Sequence, residues 1–262
     1  MVLEHRVPAM PLSFFSRNRT GTATSLPPYT LKVSAKAKYA RLKMTPHEGL
    51  VVVVPVGFDK KQLPALLQRY ASWIKKSSEQ LERHRPEALP LQENGLPCTI
   101  LFQHCSEEWM VRYHPSGRRL VESDEGSGKQ LLVGADVADT ELCRRLLLLW
   151  LKRRAEVVLI PALEQIAAER GFDYLKAGVR LQHSRWGSCS SRGSITLNTK
   201  LLFLPDYLVR YIMIHELCHT VHMNHSRSFW VLVQEHDPFW RRNNLEMKTA
   251  WKYVPHWVAA HP

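Results

Sequence analysis

Three histidines and one glutamate in the last third of the chain have a spacing that suits metal-dependent hydrolysis. His215 and His219 stand four residues apart in the segment His-Glu-Leu-Cys-His, and Glu216 follows the first histidine. On a helix, two imidazoles at this spacing lie one turn apart on the same face, so both can bind one Zn²⁺ ion. Glu216 is then placed to act on a zinc-bound water. The segment therefore predicts a hydrolytic zinc site.

A third ligand is expected from His225, which follows His215 by ten residues. Asn224 tolerates the left-handed conformation that ends a helix, and Ser226 can cap the next helix, so the chain is predicted to turn here and bring His225 back to the metal. Three protein ligands with an open fourth position are typical of catalytic zinc sites. His222 lies about 10 Å of helical rise beyond His215, so we expect it to support a ligand or to pack rather than to bind the metal.

The pattern of apolar residues predicts the helix that carries the first two histidines. Pro205 and Asp206 suit the start of a helix, because proline fits the first turn and a carboxylate is favoured at the positive end of the helix dipole. Leu208 and Ile212 fall on the same stripe as the two histidines. The stripe that holds the metal ligands is therefore predicted to be buried.

Ahead of this helix, the apolar segments at residues 174–181 and 194–198 flank a segment rich in glycine and serine. They predict a short β-hairpin whose edge strand can line a cleft and pair with an extended substrate. Arg185 and Trp186 in the connecting segment are candidate substrate-binding residues. The alternative interpretation is structural, with Trp186 in the core and Arg185 as an ion-pair partner.

The rest of the chain is predicted to contain strands followed by helices. Strands are expected at residues 29–33, 39–44 and 50–54 and in four short runs between residues 98 and 134, with a helix at residues 60–83. A longer helix is expected to begin at Asp139 or Thr140, to be kinked or restarted at Pro161 and to end at Gly171. The predicted fold class is α+β: a flexible extension at residues 1–28, a mostly antiparallel β region with a helix at residues 29–134, and a helical core with a short β-hairpin at residues 135–262.

Composition limits the class of protein and its partners. The 262 residues are 45% hydrophobic, which is enough for a sizeable core, and no apolar run is long enough to suggest a membrane-spanning segment. The net charge of +12 allows an anionic partner, nucleic acid or nucleotide, although the excess is spread along the chain and equally suits a basic soluble surface. The five cysteines form no Cys-x-x-Cys pair, and we expect a cytoplasmic protein.

Four short motifs together resemble a known family. They are Arg-Trp-Gly-Ser-Cys-Ser at residues 185–190, Leu-Pro at 204–205, His-Glu-Leu-Cys-His at 215–219 and Asn-His-Ser-x-x-Phe-Trp at 224–230. In this order and spacing the chain resembles the YgjP-like family of zinc metallopeptidases, formerly a domain of unknown function. The resemblance implies a zincin-like core, His215, His219 and His225 as zinc ligands, Glu216 as general base, and kinship with the SprT and WLM proteases that act on DNA-bound proteins.

Three functions compete on the residues themselves. The first is a zinc-dependent peptidase, in which Glu216 takes the proton of a zinc-activated water and passes it to the leaving amine of a polypeptide substrate. The second is a metal-dependent nucleotide phosphohydrolase, which the basic charge would accommodate. The third is a non-catalytic nucleic-acid-binding module with a structural zinc, which needs a fourth protein ligand that only Cys189 is placed to supply. We predict the peptidase.

Overall fold

A computed structural model describes residues 3–6, 28–45, 49–83, 94–115, 120–124 and 128–259 of the chain. The chain divides into two compact units, Met1–Pro86 and Glu87–Pro262. Apart from residues 3–6 and 28, the flexible extension predicted at residues 1–28 lies outside the described residues. In the described part of the chain, none of the helices combines the length and the apolar character that crossing a bilayer requires.

The N-terminal unit is a four-stranded sheet with two helices. The strands are β1 (Leu3–Arg6), β2 (Tyr29–Ser34), β3 (Arg41–Thr45) and β4 (Gly49–Pro55), in the order β1-β3-β4-β2. Only the β2–β4 pair is parallel among these strands. The valine-rich β4 is central because β-branched side chains fit a pleated, buried surface. The single helix predicted at residues 60–83 is divided at Tyr70 into α1 (Leu63–Arg69) and α2 (Ala71–Arg83).

A second four-stranded sheet belongs to the C-terminal unit. Its strands are β5 (Thr99–Phe102), β6 (Glu107–Tyr113), β7 (Leu120–Asp124) and β8 (Lys129–Val133), in the order β5-β6-β8-β7 with β6 and β8 parallel. The predicted boundary at residue 134 therefore differs from the boundary between the compact units. The physical reason is packing, because Phe102 and Trp109 lie 5.7 and 5.2 Å from the ring of Trp150 in the same core. Independent folding of residues 135–262 stays a prediction.

One long helix, α3 (Thr140–Arg170), supports the rest of this unit. The Asp139 side chain accepts a hydrogen bond from the Leu142 backbone N–H and so caps the helix, and Gly171 ends it in the left-handed conformation with φ of 70°. Both ends agree with the sequence prediction. The helix continues through Pro161 without a break, so the proline does not divide it into two helices.

The small sheet beside the predicted metal site differs from the predicted hairpin. Its strands are β9 (Lys176–Arg180), β10 (Gly187–Cys189) and β11 (Ser194–Asn198), in the order β10-β11-β9. β9 pairs with β11 in parallel, whereas the hairpin is formed by β10 and β11, which are antiparallel. A parallel pair needs a connection across the sheet, and residues 181–193 supply it while adding β10 as the edge strand.

Four helices complete the C-terminal unit. They are α4 (Asp206–Cys218), α5 (Arg227–His236), α6 (Trp240–Met247) and α7 (His256–Ala259). α4 is central, since it contacts α3, α5, α6 and β10 and buries Leu208, Met213 and Leu217 completely. The described residues thus form an α+β fold, which confirms the predicted class, with the histidine-bearing helix in the core of one unit.

Candidate metal centre

The helix α4 presents His215 and His219 on one face near its C-terminal end. The helix begins after Pro205, one residue later than predicted, and ends at Cys218, with His219 as the cap residue in a helical conformation. The two imidazole rings lie 4.9 Å apart between centroids. Their proximity follows from the spacing of four residues, which brings side chains together across one turn. The two rings thus lie on the same face of the helix, and metal binding by this pair stays a prediction.

A loop after α4 brings His225 to the same place. Its Nε2 lies 3.1 Å from Nε2 of His215. The loop does not form as predicted, because the helix ends at Cys218 and Asn224 does not adopt a positive φ. Instead the Asn224 side chain accepts a hydrogen bond from the Ser226 backbone N–H, which tightens the turn. Ser226 caps α5 as predicted, with its hydroxyl accepting from the Phe229 backbone N–H.

The three histidines offer ligand atoms that all lie within 4.8 Å of one another. Two nitrogen ligands of a tetrahedral Zn²⁺ are about 3.3 Å apart, close to the separation of the two Nε2 atoms above. The Nδ1–H of His219 donates to the backbone carbonyl of His222 at 2.9 Å, which leaves the lone pair on Nε2 for the metal side. The residues present therefore fit a divalent metal ion that accepts imidazole ligands.

Burial keeps two of these imidazoles neutral. The pKa of His215 is lowered to about 3, mainly by burial and further by His219 and His225. The pKa of His219 is also lowered by burial, against the opposing effect of its bond to His222. A neutral imidazole is the form that binds metal. His225 is exposed while His219 is buried, so the centre reaches solvent on the His225 side.

Aromatic side chains of α5 hold two of the rings from behind. Phe229 is fully buried and stacks on His219 with ring centroids 4.4 Å apart, and Trp230 stacks on His225 at 5.6 Å. Trp230 in turn stacks on Trp240 at 4.4 Å. The aromatic residues that follow the third histidine thus pack against the imidazole rings. They restrict the rotamers of the two imidazoles before any metal binds.

Glu216 lies between α4 and the edge strand β10. Its side chain is 6% exposed, and burial raises its pKa to about 7, opposed by the positive charge of Arg185. β10 passes so close that a Cβ at Gly187 would lie 2.7 Å from Glu216 Oε1. Cys189, two residues along the same strand, has its pKa raised to about 11 by burial and by the charge of Glu216. The carboxyl group is thus next to a candidate metal ligand in sequence and against the edge strand β10 in space.

Arg185 and Trp186 lie just before β10. Arg185 is exposed, and the half-buried Trp186 stacks on Trp251 with ring centroids 4.2 Å apart. Asn198 fixes this segment, because its amide donates to the backbone carbonyls of Gln182 at 3.0 Å and Arg185 at 2.6 Å. The structural alternative raised for Trp186 is supported by this stack, whereas Arg185 forms no ion pair among those found in the described residues.

No cysteine joins the centre in the part of the chain that the structure describes, where the histidine triplet is the group able to hold a metal. Cys218 is fully buried, and Cys189 belongs to β10. Three protein ligands and an adjacent carboxylate are the set found in hydrolytic zinc sites, and a structural site would need a fourth protein ligand. The geometry therefore counts against the structural-zinc alternative.

This arrangement is that of a zincin-like metallopeptidase core, in which a helix supplies two imidazoles one turn apart and the following loop returns a third. The chain belongs to the YgjP-like family, because residues 38–250 match its metallopeptidase domain. The predicted family is confirmed. Membership makes the protein a metallopeptidase, hence a hydrolase, and implies a divalent metal ion as cofactor.

Comparisons with solved structures and with curated proteins add little to the family assignment. The chain is similar to the solved metallopeptidase zymogen of Pyrococcus abyssi abylysin, with 26% sequence identity over 35% of this chain and 93% of that chain, at a TM-score of 0.32. No curated protein matches the sequence.

Three contributors to the site are not identified by the sequence patterns. Gly187 was assigned to a loop, although an isolated glycine beside strand-like residues can signal a close backbone approach. Asn198 was treated only as the end of a strand, yet its amide organises the segment before β10. His222 was considered for its side chain, whereas its backbone carbonyl makes the contact with His219. The last two have no signal in a single sequence, because both depend on backbone groups brought close by folding.

Proposed function

We propose that the protein is a zinc-dependent peptidase in which His215, His219 and His225 hold the metal and Glu216 is the general base. The single observation that carries the proposal is the convergence of the three imidazoles, with a buried carboxylate one residue from the first of them. A Zn²⁺ ion held there would supply Lewis acidity toward the scissile carbonyl and lower the pKa of a bound water toward about 7.

The role of Glu216 follows from its position rather than from its charge alone. It adjoins His215 on α4 but is not one of the converging ligand groups. A carboxylate beside the metal can take a proton from the attacking water and return it to the leaving amine. β10 covers one side of this carboxylate, and its burial limits contact with bulk water, which favours proton exchange with the reacting groups.

β10 supplies an edge to which an extended polypeptide can bind. The Trp186 carbonyl accepts from the Asn198 N–H and the Ser190 N–H donates to the Ser194 carbonyl, both at 2.9 Å, so these groups point toward β11. In an antiparallel pair the intervening residues point their backbone groups the other way. The N–H and C=O groups of β10 residues 187 and 189 therefore face outward, where a substrate strand can pair with them.

Arg185 and Trp186 are assigned different parts in substrate binding. Arg185 is exposed and lies just before β10, so its guanidinium can bind carbonyl or carboxylate oxygens of a substrate strand paired with β10. Trp186 stacks on Trp251 and thereby holds the start of β10 in place. We infer that Arg185 contacts substrate directly and that Trp186 supports the strand that does so.

The five cysteines are free thiols, which favours a reducing compartment, and we place the enzyme in the cytoplasm on that ground. No specific observation in the structure favours the phosphohydrolase or an anionic macromolecular partner over a polypeptide substrate. The phosphohydrolase alternative is therefore tested only by including nucleoside triphosphates among the substrates in the experiment below.

Replacing Glu216 by Gln tests the mechanism, because the substitution keeps the size of the side chain and removes the base. The variant should fold, keep its zinc and lose hydrolysis by at least about a hundredfold, the usual effect of losing a general base. Unfolded polypeptide, DNA-bound protein and nucleoside triphosphates are offered side by side to the zinc-loaded protein. Cleavage of polypeptide that disappears in the variant supports the proposal.

Two outcomes would contradict it. Peptide hydrolysis that survives Glu216→Gln with zinc still bound would remove Glu216 as the base. Triphosphate hydrolysis that depends on Glu216, without cleavage of either protein substrate, would replace the peptidase by the phosphohydrolase. Arg185→Ala serves as a comparison, since it should raise KM for peptide more than it lowers kcat if it binds substrate.

A further inference from the structure

The closest approach of the small sheet to α4 occurs at Gly187. A Cβ built on this residue would lie 2.7 Å from both Cγ and Oε1 of Glu216 and 2.9 Å from its Cδ. Carbon atoms in contact prefer separations of about 3.5–4.0 Å, so a side chain here would displace the carboxyl group or the strand. The φ angle of Gly187 lies outside the left-handed region, so backbone conformation does not require a glycine. The space that the Glu216 side chain occupies is what disfavours a larger residue at this position.

A second glycine in the same sheet shows that this contact is specific. Gly178 lies in β9, also outside the left-handed region, and a Cβ there would meet no atom of the described chain within 4 Å. Both glycines interrupt short strands, and both can be given a methyl group without backbone strain. They differ in whether the methyl group would meet Glu216.

The surroundings of Glu216 leave its side chain little freedom to move away. Its side chain is only 6% exposed, so other atoms of the protein surround it on almost every side. On the strand side, Cys189 projects to the same face of β10 as Gly187, because alternate residues share a face. The effect of the Glu216 charge on the pKa of the Cys189 thiol agrees with that placement.

We propose that Gly187 is a positioning residue that sets the location of the Glu216 carboxylate. Its missing side chain lets α4 and β10 approach until the carboxyl group rests against the strand backbone. The backbone groups of the same residue face outward, toward the predicted substrate strand. Gly187 thereby fixes the position of the carboxylate relative to the substrate backbone. The proposal rests on the proposed function only in treating Glu216 as the base, since the contact itself is structural.

The contact is tested first without metal or substrate. Thermal unfolding of the metal-free protein is measured for Gly187→Ala, Glu216→Ala and the double variant, with Gly178→Ala as the matched control. Gly187→Ala should lower the Tm by roughly 5 °C, the scale of overpacking one methyl group in a protein of this size. In the Glu216→Ala background the same substitution should change the Tm by less than about 1 °C. Gly178→Ala should behave like the wild type.

Two results would overturn the contact. One is a Tm loss from Gly187→Ala that is equal with and without the Glu216 side chain. The other is a double variant that stays unfolded in the event that Gly187→Ala alone does not fold. The proposal requires that adding Glu216→Ala restores folding in that event.

The positioning role is tested with zinc-loaded enzyme. Gly187→Ala should keep zinc affinity within about twofold and KM within about threefold, while kcat falls at least about tenfold, because a small displacement of a catalytic group is costly and the outward backbone groups remain. Glu216→Ala removes all three side-chain atoms that the methyl group would meet, so it supplies a background of residual activity in which the contact cannot form. In that background Gly187→Ala should cost less than about twofold in kcat. A tenfold loss that persists there would show that Gly187 does not act through Glu216.

The two proposals fail in different ways. If the Tm coupling is present but no variant or wild type cleaves any polypeptide, the peptidase assignment fails and the contact stands. If peptide cleavage depends on Glu216 but the coupling is absent, the function stands and the role of Gly187 is removed. Gly178→Ala should match the wild type in every case.

Discussion

Two clusters of polar side chains in the C-terminal unit differ in where their hydrogen bonds and charges are satisfied. In the first, both carboxylate oxygens of Glu107 are occupied: Arg154 binds both of them, Trp109 donates to Oε2 at 2.9 Å and Lys129 to Oε1 at 3.0 Å. Burial raises the pKa of Glu107, but these hydrogen bonds outweigh it and lower the pKa overall. Every charge in this cluster has an opposite charge or a donor from the same protein.

The second cluster, the three histidines, directs its nitrogen atoms at one another. His215 and His225 place two Nε2 atoms 3.1 Å apart, and His219 has only its Nδ1 bonded to a protein carbonyl. The imidazoles of His215 and His219 are held neutral by burial. The two clusters differ in that the charges of the first are paired within the protein, whereas the imidazole nitrogens of the second face one another, an arrangement that fits a divalent metal ion.

The largest expected effect is on Zn²⁺ affinity, which should depend on the histidine cluster and not on the Glu107 cluster. Replacing His225 by Ala should weaken Zn²⁺ binding by more than about a hundredfold, beyond what the loss of an outer hydrogen-bond partner causes. Glu107→Gln should leave the affinity within about twofold. Competition with a chromophoric chelator measures both. Equal losses in the two variants would show that zinc affinity depends on general stability rather than on the histidine ligands.

The reverse result is expected for folding stability in the metal-free protein. Glu107→Gln removes the carboxylate that Arg154 and Lys129 share, and breaking a largely buried ion pair from one side costs about 3 kcal/mol in the free energy of unfolding. His225 is exposed, so His225→Ala should cost less than about 0.5 kcal/mol. Urea denaturation of the metal-free variants measures both values. A stability loss in His225→Ala as large as that in Glu107→Gln would remove the distinction.

Much of the second cluster could be predicted because its geometry is local. His215 and His219 are joined by one helical turn, so the spacing alone places their rings together. Ser226 could be identified as a cap by residue type, and the loop it ends returns His225 over only ten residues. Asn224 shows the limit of such reasoning, since its residue type allows both a left-handed helix end and the side-chain turn that forms.

The rest of the fold depends on contacts between distant residues, and single-sequence patterns do not report these. β10 has only three residues, Gly187–Cys189, with no apolar alternation, so its identity as a strand depends on packing against α4. The parallel pairing of β9 was missed for the same reason. The first cluster was not predicted at all, because Glu107 and Arg154 are 47 residues apart and nothing local relates them.

Lys200 is a buried charged residue that belongs to neither cluster. It is 3% exposed, its Nζ lies 5.1 Å from the centre of the Trp251 ring, and burial lowers its pKa to about 8. Between about pH 8 and the ordinary lysine value near 10.5, the unfolded chain holds a proton that the native protein has lost, so stability rises with pH across this window. The gain is at most about 3 kcal/mol.

Lys200→Met isolates this contribution, because methionine has a similar length and no proton to lose. At pH 7 the variant should be at least as stable as the wild type, since an apolar side chain avoids the cost of burying the ammonium group. Its advantage should shrink as the pH rises from about 8 to about 10.5. Urea denaturation of both proteins at several pH values tests this. A constant difference over the whole range would show that Lys200 titrates as an exposed lysine does.

The smallest effect is expected at His222, which was predicted to support a ligand or to pack. The structure gives it a supporting contact, but through the backbone carbonyl that accepts from His219 Nδ1. His222→Ala keeps that carbonyl, so zinc affinity should fall by less than about tenfold, below the range for losing an outer partner. His219→Ala, measured in the same chelator titration, should lose far more. If His222→Ala lost as much zinc as His219→Ala, the imidazole of His222 would have to join the ligands, and the convergence of His215, His219 and His225 would no longer define the centre.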